Sequence, residues 1–279
     1  MENANLSNRR GSAICECTLH PDWPTDVHTD LHLQAGHPTV CEPNHRVTNL
    51  TTKNILIHLN KIGTACYALG TLGNGATTGR LICNSGPIDL VYREGLAQAS
   101  IPHAVHIHVE HPYTVDDLHN LQPALRQFPP PRSLDVASPV KGMNFICAEL
   151  ESLEALAQVT VTGVRPTAKL DSDWSIGFVG AYFYVVTGQE GGSLDIRSRM
   201  IEGRMEDPAT GSAAAALSAL LALKHKLQSA SFRITQGVEM GRRSDIGMTV
   251  KLTDALDAVE RIELSGSSVQ VMQGTIQYE

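Results

Sequence analysis

The sequence predicts an α+β fold of two similar halves, each with short strands gathered around one helix. Three observations carry that prediction. Ala213 to Leu227 is a strong helix former with apolar residues nearly all round, the pattern of a helix enclosed by other elements rather than lying on a surface. Just ahead of it, Asp207-Pro208-Ala209-Thr210 shares its grammar with His37-Pro38-Thr39 in the first half: a polar residue, a proline, then a small hydroxyl residue. Short β-branched and aromatic runs separated by turn residues fill most of the remaining chain.

Along the chain, residues 1 to 34 give no secure element, because proline, histidine and aspartate interrupt each apolar run. Val40 to Lys61 mixes polar and β-branched residues. Arg80–Cys83 and Ile88–Tyr92 flank Asn84-Ser85-Gly86-Pro87, which predicts a hairpin with a longer loop. Val105 to Val109 alternates like a half-buried strand. His106 and His108 would share one of its faces, with His103 and His111 nearby. Two readings stay open there, a divalent-metal pair and an ordinary polar strand face. Val115 to Phe128 has helical spacing and stops at Pro129-Pro130-Pro131, and Arg132 to Pro139 reads as a linker. Strands follow at 144–150, 178–187, 194–200, 232–236, 248–252, 259–264, 269–272 and 275–278, with Ser152 capping a short helix to Gln158.

The start of the long helix carries the first functional signal. Asp207 followed by Pro208 reads as an N-cap and first helical position. Gly211 and Ser212 bring bare amides and a hydroxyl to the positive end of the helix dipole, an end suited to a small carboxylate. Lys224, His225 and Lys226 complement the other end.

Composition narrows the function classes. A net charge of -7 over 279 residues argues against a nucleic-acid partner, which needs a basic face. No apolar run approaches a membrane span, and Met1 to Arg10 lacks the apolar core of a signal peptide, so a cytoplasmic protein is expected. The six cysteines are scattered without zinc-ribbon spacing and are expected as free thiols.

Glu206-Asp207-Pro208-Ala209-Thr210-Gly211-Ser212-Ala213-Ala214 resembles a motif of the PhzF family of phenazine biosynthesis-like proteins. Arg197 to Met200 ahead of it and Gln236 to Arg242 behind it are similar as well, as are Ala35-Gly36-His37-Pro38-Thr39 and Ser265 to Ile276. The resemblance implies a diaminopimelate epimerase-like fold of two pseudo-symmetric domains, each a rolled, mostly antiparallel sheet around a central helix. The halves are expected at 1–131 and 132–279, with the last strand returning to the first half. The first half is irregular: 1–34 is atypical, and 40–61 is an insertion or retained intron-like sequence ahead of Ile62 to Leu69, which the resemblance implies is a helix.

The same resemblance implies an isomerase that moves a carbon-bound proton in a small carboxylate-bearing metabolite, without metal or organic cofactor, in the cleft between the halves. Related epimerases use two cysteines at the helix starts, but here those places correspond to His37 and Asp207. A carboxylate is then the expected proton carrier, and Glu16 is the residue offered for that role, set against a plain solvated glutamate near the terminus. His37 and Asp207 would hold and polarise the substrate, while Gly36, Gly211 and Ser212 bind its carboxylate. A homodimer is also implied. The competing reading is a binding protein that kept the carboxylate pocket and lost turnover.

Overall fold

The computed structural model describes residues 32–35, 78–83, 86–174 and 177–267. In chain order these form β1 (His32–Ala35), β2 (Thr78–Cys83), β3 (Gly86–Arg93), β4 (Leu96–Ser100) and β5 (His106–His108). Then come α1 (Val115–Leu121), a 3-10 turn (Pro123–Gln127), β6 (Ser133–Val140), β7 (Met143–Glu149) and α2 (Leu153–Ala157). The chain continues through β8 (Phe178–Glu190), β9 (Ser193–Glu202), β10 (Met205–Asp207), α3 (Gly211–Lys224), β11 (Ser229–Gln236), β12 (Ser244–Leu252) and β13 (Val259–Gly266).

One sheet takes them in the order β1-β2-β3-β4-β13-β12-β11-β9-β8-β7-β6-β5, with β10 added on β9. All pairs are antiparallel except β7 with β8 and β9 with β11. Strands β6, β7, β11, β12 and β13 all touch α3, although β6 and β13 stand far apart in that order. The sheet is therefore rolled around the helix. Every residue of α3 from Gly211 to Ala222 is buried, which explains an apolar pattern with no polar stripe. Alanines on that helix let strands approach closely, and Leu217 and Leu220 fill the remaining space at 0% exposure. Cutting either leucine back to alanine would cost roughly 2–5 kcal/mol.

The middle of the sheet is covered on both faces. Along β8, Tyr182 and Tyr184 point to the α3 core, while Ala181, Phe183 and Val185 point to a smaller core. That second core is built from Leu118, Leu121, Leu156 and Ile201 under α1 and α2. Period-two alternation places both sets inside, so the strand reads as continuously apolar. The fold is thus α+β and epimerase-like, with the expected rolled sheet and central helix. Ser152 caps α2 as the sequence implies, accepting from the Ala155 amide at 3.2 Å.

Four local expectations are corrected. Arg132 to Pro139 is not a linker, since residues 133–140 form β6 between β5 and β7. Pro139 is tolerated because the β6–β7 register shifts between Ala137 and Val140, while its carbonyl still accepts from the Ala104 amide at 2.7 Å. The β2–β3 hairpin is tight, with Cys83 opposite Gly86, rather than long. The 115–128 helix breaks at Gln122, because Pro123 has no amide to continue the ladder and the chain resumes as a 3-10 turn. Finally, α3 begins at Gly211 and not at Pro208.

The segment 40–61, the helix expected at 62–69 and the strands expected at 269–272 and 275–278 lie outside the described residues. Cys147 is a free, buried cysteine whose thiol burial pushes well above its ordinary pKa. Among the described residues, no helix is long and apolar enough to cross a membrane.

Candidate active site at the start of the buried helix

The β9–β10 hairpin brings the chain to the head of α3. Asp207 pairs with Met200 and Glu206 with Ile201. Arg199 and Glu206 lock the two strands together: Nε and Nη2 each donate at 2.8 Å to one oxygen of the Glu206 carboxylate. The remaining nitrogen, Nη1, donates to the Leu156 carbonyl at 3.1 Å. Both side chains are more than nine-tenths buried, so the fork-to-fork pair holds β10 against α2 as well as β9. This pair leaves Asp207 at the strand end with its carboxylate turned back toward the helix.

Asp207 is not the N-cap. Thr210 occupies that position, but without capping the helix through its side chain. Its hydroxyl instead donates to Asp207 Oδ2 at 2.7 Å, while the Ala209 amide donates to Oδ1 at 3.2 Å. The aspartate thus closes the 207–210 turn two residues on, as Asp does in Asx turns. Burial pushes the Asp207 carboxyl above its ordinary pKa, outweighing the lowering by the Thr210 hydroxyl, the Ala209 amide and the nearby charge of Arg242. A half-buried carboxylate with a raised pKa is suited to acid/base work.

Behind the turn stands a buried network that the sequence did not single out. Gln236, at the end of β11, donates through Nε2 to the Asp207 carbonyl at 2.7 Å and to Thr210 Oγ1 at 2.9 Å. Its Oε1 accepts from the Thr210 amide at 3.3 Å and from the Tyr182 hydroxyl at 3.1 Å. Ser198 in turn donates to Tyr182 at 2.9 Å. All four bonding positions of the Gln236 carboxamide are used. The donors run in one direction, from Ser198 through Tyr182, Gln236 and Thr210 to the Asp207 carboxylate. Gly237 follows at φ +76°, packed against the backbone of Pro208 and the carbonyl of Arg242, where a Cβ would collide. Gln236-Gly237 already stood out in the sequence as a motif, but the partner of its side chain lies 26 to 54 residues away.

Gly211 and Ser212 form the first turn of α3, as the sequence implied, and both are buried. Their amides and that of Ala213 precede the first intrahelical bond, which the Ala214 amide donates to Thr210 at 3.0 Å. The Ser212 hydroxyl is buried with no hydrogen-bond partner among the described residues. Asp207, Gly211 and Ser212 are therefore gathered at one helix head. Glu16, Gly36 and His37 lie outside the described residues; β1 ends at Ala35, one residue before Gly36.

The fold is shared with solved structures. A phenazine biosynthesis protein of the PhzF family from Bacillus anthracis superposes with a TM-score of 0.60, at 16% identity, over 78% of this chain and 75% of that one. A phenazine biosynthesis PhzC/PhzF protein from Clostridium difficile gives 0.52 at 17% identity, covering 80% and 74%. A predicted epimerase from Pseudomonas aeruginosa gives 0.51 at 16% identity, covering 79% and 74%. At such identities the likeness concerns the fold. Residues 34–274 match the family described as phenazine biosynthesis-like protein (PhzC-PhzF), and the chain belongs to that family. No curated protein sequence matches it.

Proposed function

We propose that the protein is an isomerase that moves a carbon-bound proton in a small carboxylate-bearing metabolite, using carboxylate acid/base chemistry and no cofactor. Family membership supports the isomerase class, as does a fold shared with a structure named a predicted epimerase. The observation that carries the mechanism is the Asp207 carboxylate, desolvated and held with a raised pKa beside the open amides of Gly211, Ser212 and Ala213.

In this reading the substrate carboxylate sits on the first turn of α3. The helix dipole and the amides neutralise it there, each charge-assisted bond contributing about 1.5–3 kcal/mol. The same donors stabilise charge that develops when the adjacent carbon loses its proton. Asp207, oriented by Thr210 and the Ala209 amide, then polarises the substrate together with His37. Glu16 carries the proton. The two halves, 1–131 and 132–279, would face each other across this cleft, and a homodimer in the cytoplasm is the expected assembly.

The test is proton exchange in deuterated water, followed by proton NMR on a panel of small carboxylates, cyclic and amino-substituted ones included. The enzyme should wash deuterium into the carbon adjacent to the carboxylate of at least one of them, and Asp207→Asn should abolish the exchange. A second reading has one observation in its favour: both Asp207 oxygens already accept local hydrogen bonds, as in a site kept for binding alone. Saturation-transfer NMR separates the two. Binding without exchange by the parent protein would replace the isomerase with a carboxylate-binding protein.

A further inference from the structure

A second cluster of chemically capable side chains lies at the far edge of the sheet, away from α3. Strand β5 is the last in the strand order and, among the described residues, pairs only with β6. His106 and His108 project from it toward Asp171, more than sixty residues further along, in the segment that leads to β8. His106 Nε2 lies 2.9 Å from Asp171 Oδ2, and His108 Nδ1 lies 3.8 Å from Oδ1. One nitrogen from each ring and one carboxylate oxygen fall within 4.8 Å of one another. We propose that His106, His108 and Asp171 form a structural site for a divalent transition metal of the zinc type, held by two imidazole nitrogens and one carboxylate oxygen.

Three features argue that the cluster is built for a ligand rather than assembled by chance. The first is the tautomer of His108. Asn144 Oδ1 accepts from the Ser138 hydroxyl at 2.6 Å, so the Ser138 oxygen must accept from His108 Nε2–H at 2.8 Å. Asn144 is itself held by its Nδ2, which donates to the Phe178 carbonyl at 2.9 Å. This outer chain leaves Nδ1 unprotonated and aimed at Asp171, as a metal-bound histidine requires.

The second is the carboxylate. Asp171 is anchored by the amides of Val109 at 3.0 and 3.1 Å and Glu110 at 2.9 Å, with its remaining lone pairs toward the two rings. The third is access. The His108 and Asp171 side chains are 0% and 6% exposed, whereas His106 is 33% exposed, so the cluster is closed at the back and open at one ligand. Trp174 stacks on His106 at 4.6 Å and covers its ring face.

The spacing fits the ion. Metal–ligand bonds of about 2.1 Å in a tetrahedron separate the donor atoms by roughly 3.4 Å. The observed separations are 2.9 Å from His106 Nε2 to Asp171 Oδ2 and 3.8 Å from His108 Nδ1 to Oδ1, and one donor atom from each residue lies within 4.8 Å of the others, so the set would tighten around the ion. Two imidazoles and a carboxylate suit zinc, cobalt or nickel better than the all-oxygen ions. Metal entry displaces two contacts, the 2.9 Å hydrogen bond between His106 Nε2 and Asp171 Oδ2 and the long bond of 3.2 Å from the Asp171 amide to His108 Nδ1. In exchange the ion ties residues 109–110 and 171–174 to the edge strand, so its role is structural and separate from the head of α3.

The test uses the full chain after dialysis against a chelator. Titration with zinc by calorimetry should give one equivalent bound per chain, and cobalt should give a visible spectrum of low-symmetry four-coordination. In a Trp23→Phe background, fluorescence of Trp174 should be quenched by nickel or copper in proportion to occupancy. His106→Gln and Asp171→Asn should each weaken zinc binding by at least ~100-fold. At about 100 times Kd, zinc should raise the Tm of the parent by roughly 5 °C and leave both variants unmoved. His106 is partly exposed, so the metal-free His106→Gln chain should fold normally and serve as the reference. Absence of stoichiometric zinc binding up to ~1 mM overturns the site. Binding that survives either substitution unchanged overturns it equally.

Discussion

The two ends of α3 are made of the same alanine- and leucine-rich helix, yet they are finished differently. At the C-terminal end the carbonyls of Leu221, Ala222 and Leu223 each accept from an amide. The Leu227 amide donates to Ala222 at 2.9 Å and the Lys226 amide to Leu223 at 3.3 Å, with Lys226 at φ +52°, which is a Schellman closure without glycine. Lys224 adds a bidentate contact to Asp135 at 3.0 and 2.8 Å. At the N-terminal end the cap residue turns its hydroxyl away to Asp207, and the buried Ser212 hydroxyl has no partner among the described residues. An end left open inside the core costs stability, and proteins keep such sites where a ligand completes them. On the proposed function, the contrast separates the structural end of the helix from the working one.

Substitutions can break that contrast at its strongest point first. Asp207→Asn should lower deuterium exchange by at least ~10²-fold. The same change should not weaken the fold at neutral pH. Because burial raises the folded carboxyl pKa above its unfolded value, the proton stabilises the folded chain in acid, and this contribution is lost as pH rises through the folded pKa. The asparagine variant should therefore match or exceed the parent's Tm at pH 7 and lose that advantage in acid. Calorimetry across pH checks the sign. A variant that is inactive only because it is unfolded would end the distinction between the two helix ends.

Gly237→Ala comes next. Its Cβ would meet the Arg242 carbonyl and the Pro208 backbone at a positive φ, so a loss of about 2–4 kcal/mol is expected in chemical denaturation. Thr210→Val removes the hydroxyl donor to Asp207 and leaves one of the two Gln236 Nε2 hydrogens without its acceptor, a cost of about 1–3 kcal/mol. Since that hydroxyl lowers the Asp207 pKa, the acidic limb of the pH–rate profile should move upward in the variant. The smallest effect sharpens the other end: Lys226→Gly relieves a left-handed lysine and should add about 0.5–1 kcal/mol of stability with exchange unchanged.

Much of this was legible in local pattern. An apolar run without a polar stripe, 213–223, could only be an enclosed helix, and Gly211-Ser212 was readable as its first turn. The misreadings came where one grammar serves two structures. Asp-Pro fits an N-cap, but it equally fits a strand end whose aspartate closes a turn, which is what Asp207 does with Ala209 and Thr210. Pro139 suggested a linker, because the sequence does not reveal the shift in pairing that admits a proline into β6. Two further groups were marked in the sequence only by half, without their partners. Gln236 reaches Thr210 and Tyr182 across strands, and Asp171 meets His106 and His108 only because the chain before β8 folds over the sheet edge. Contacts of that range are set by topology, not by neighbouring residues.

The most direct measurement is an amide proton–nitrogen NMR titration with acetate, benzoate and 2-aminobenzoate as carboxylate probes. The account predicts saturable shifts that are largest at Gly211, Ser212 and Ala213, with His225, Lys226 and Leu227 unmoved. Shifts of equal size at both ends of α3, or none at the 211–213 amides while the probes bind elsewhere, would contradict it.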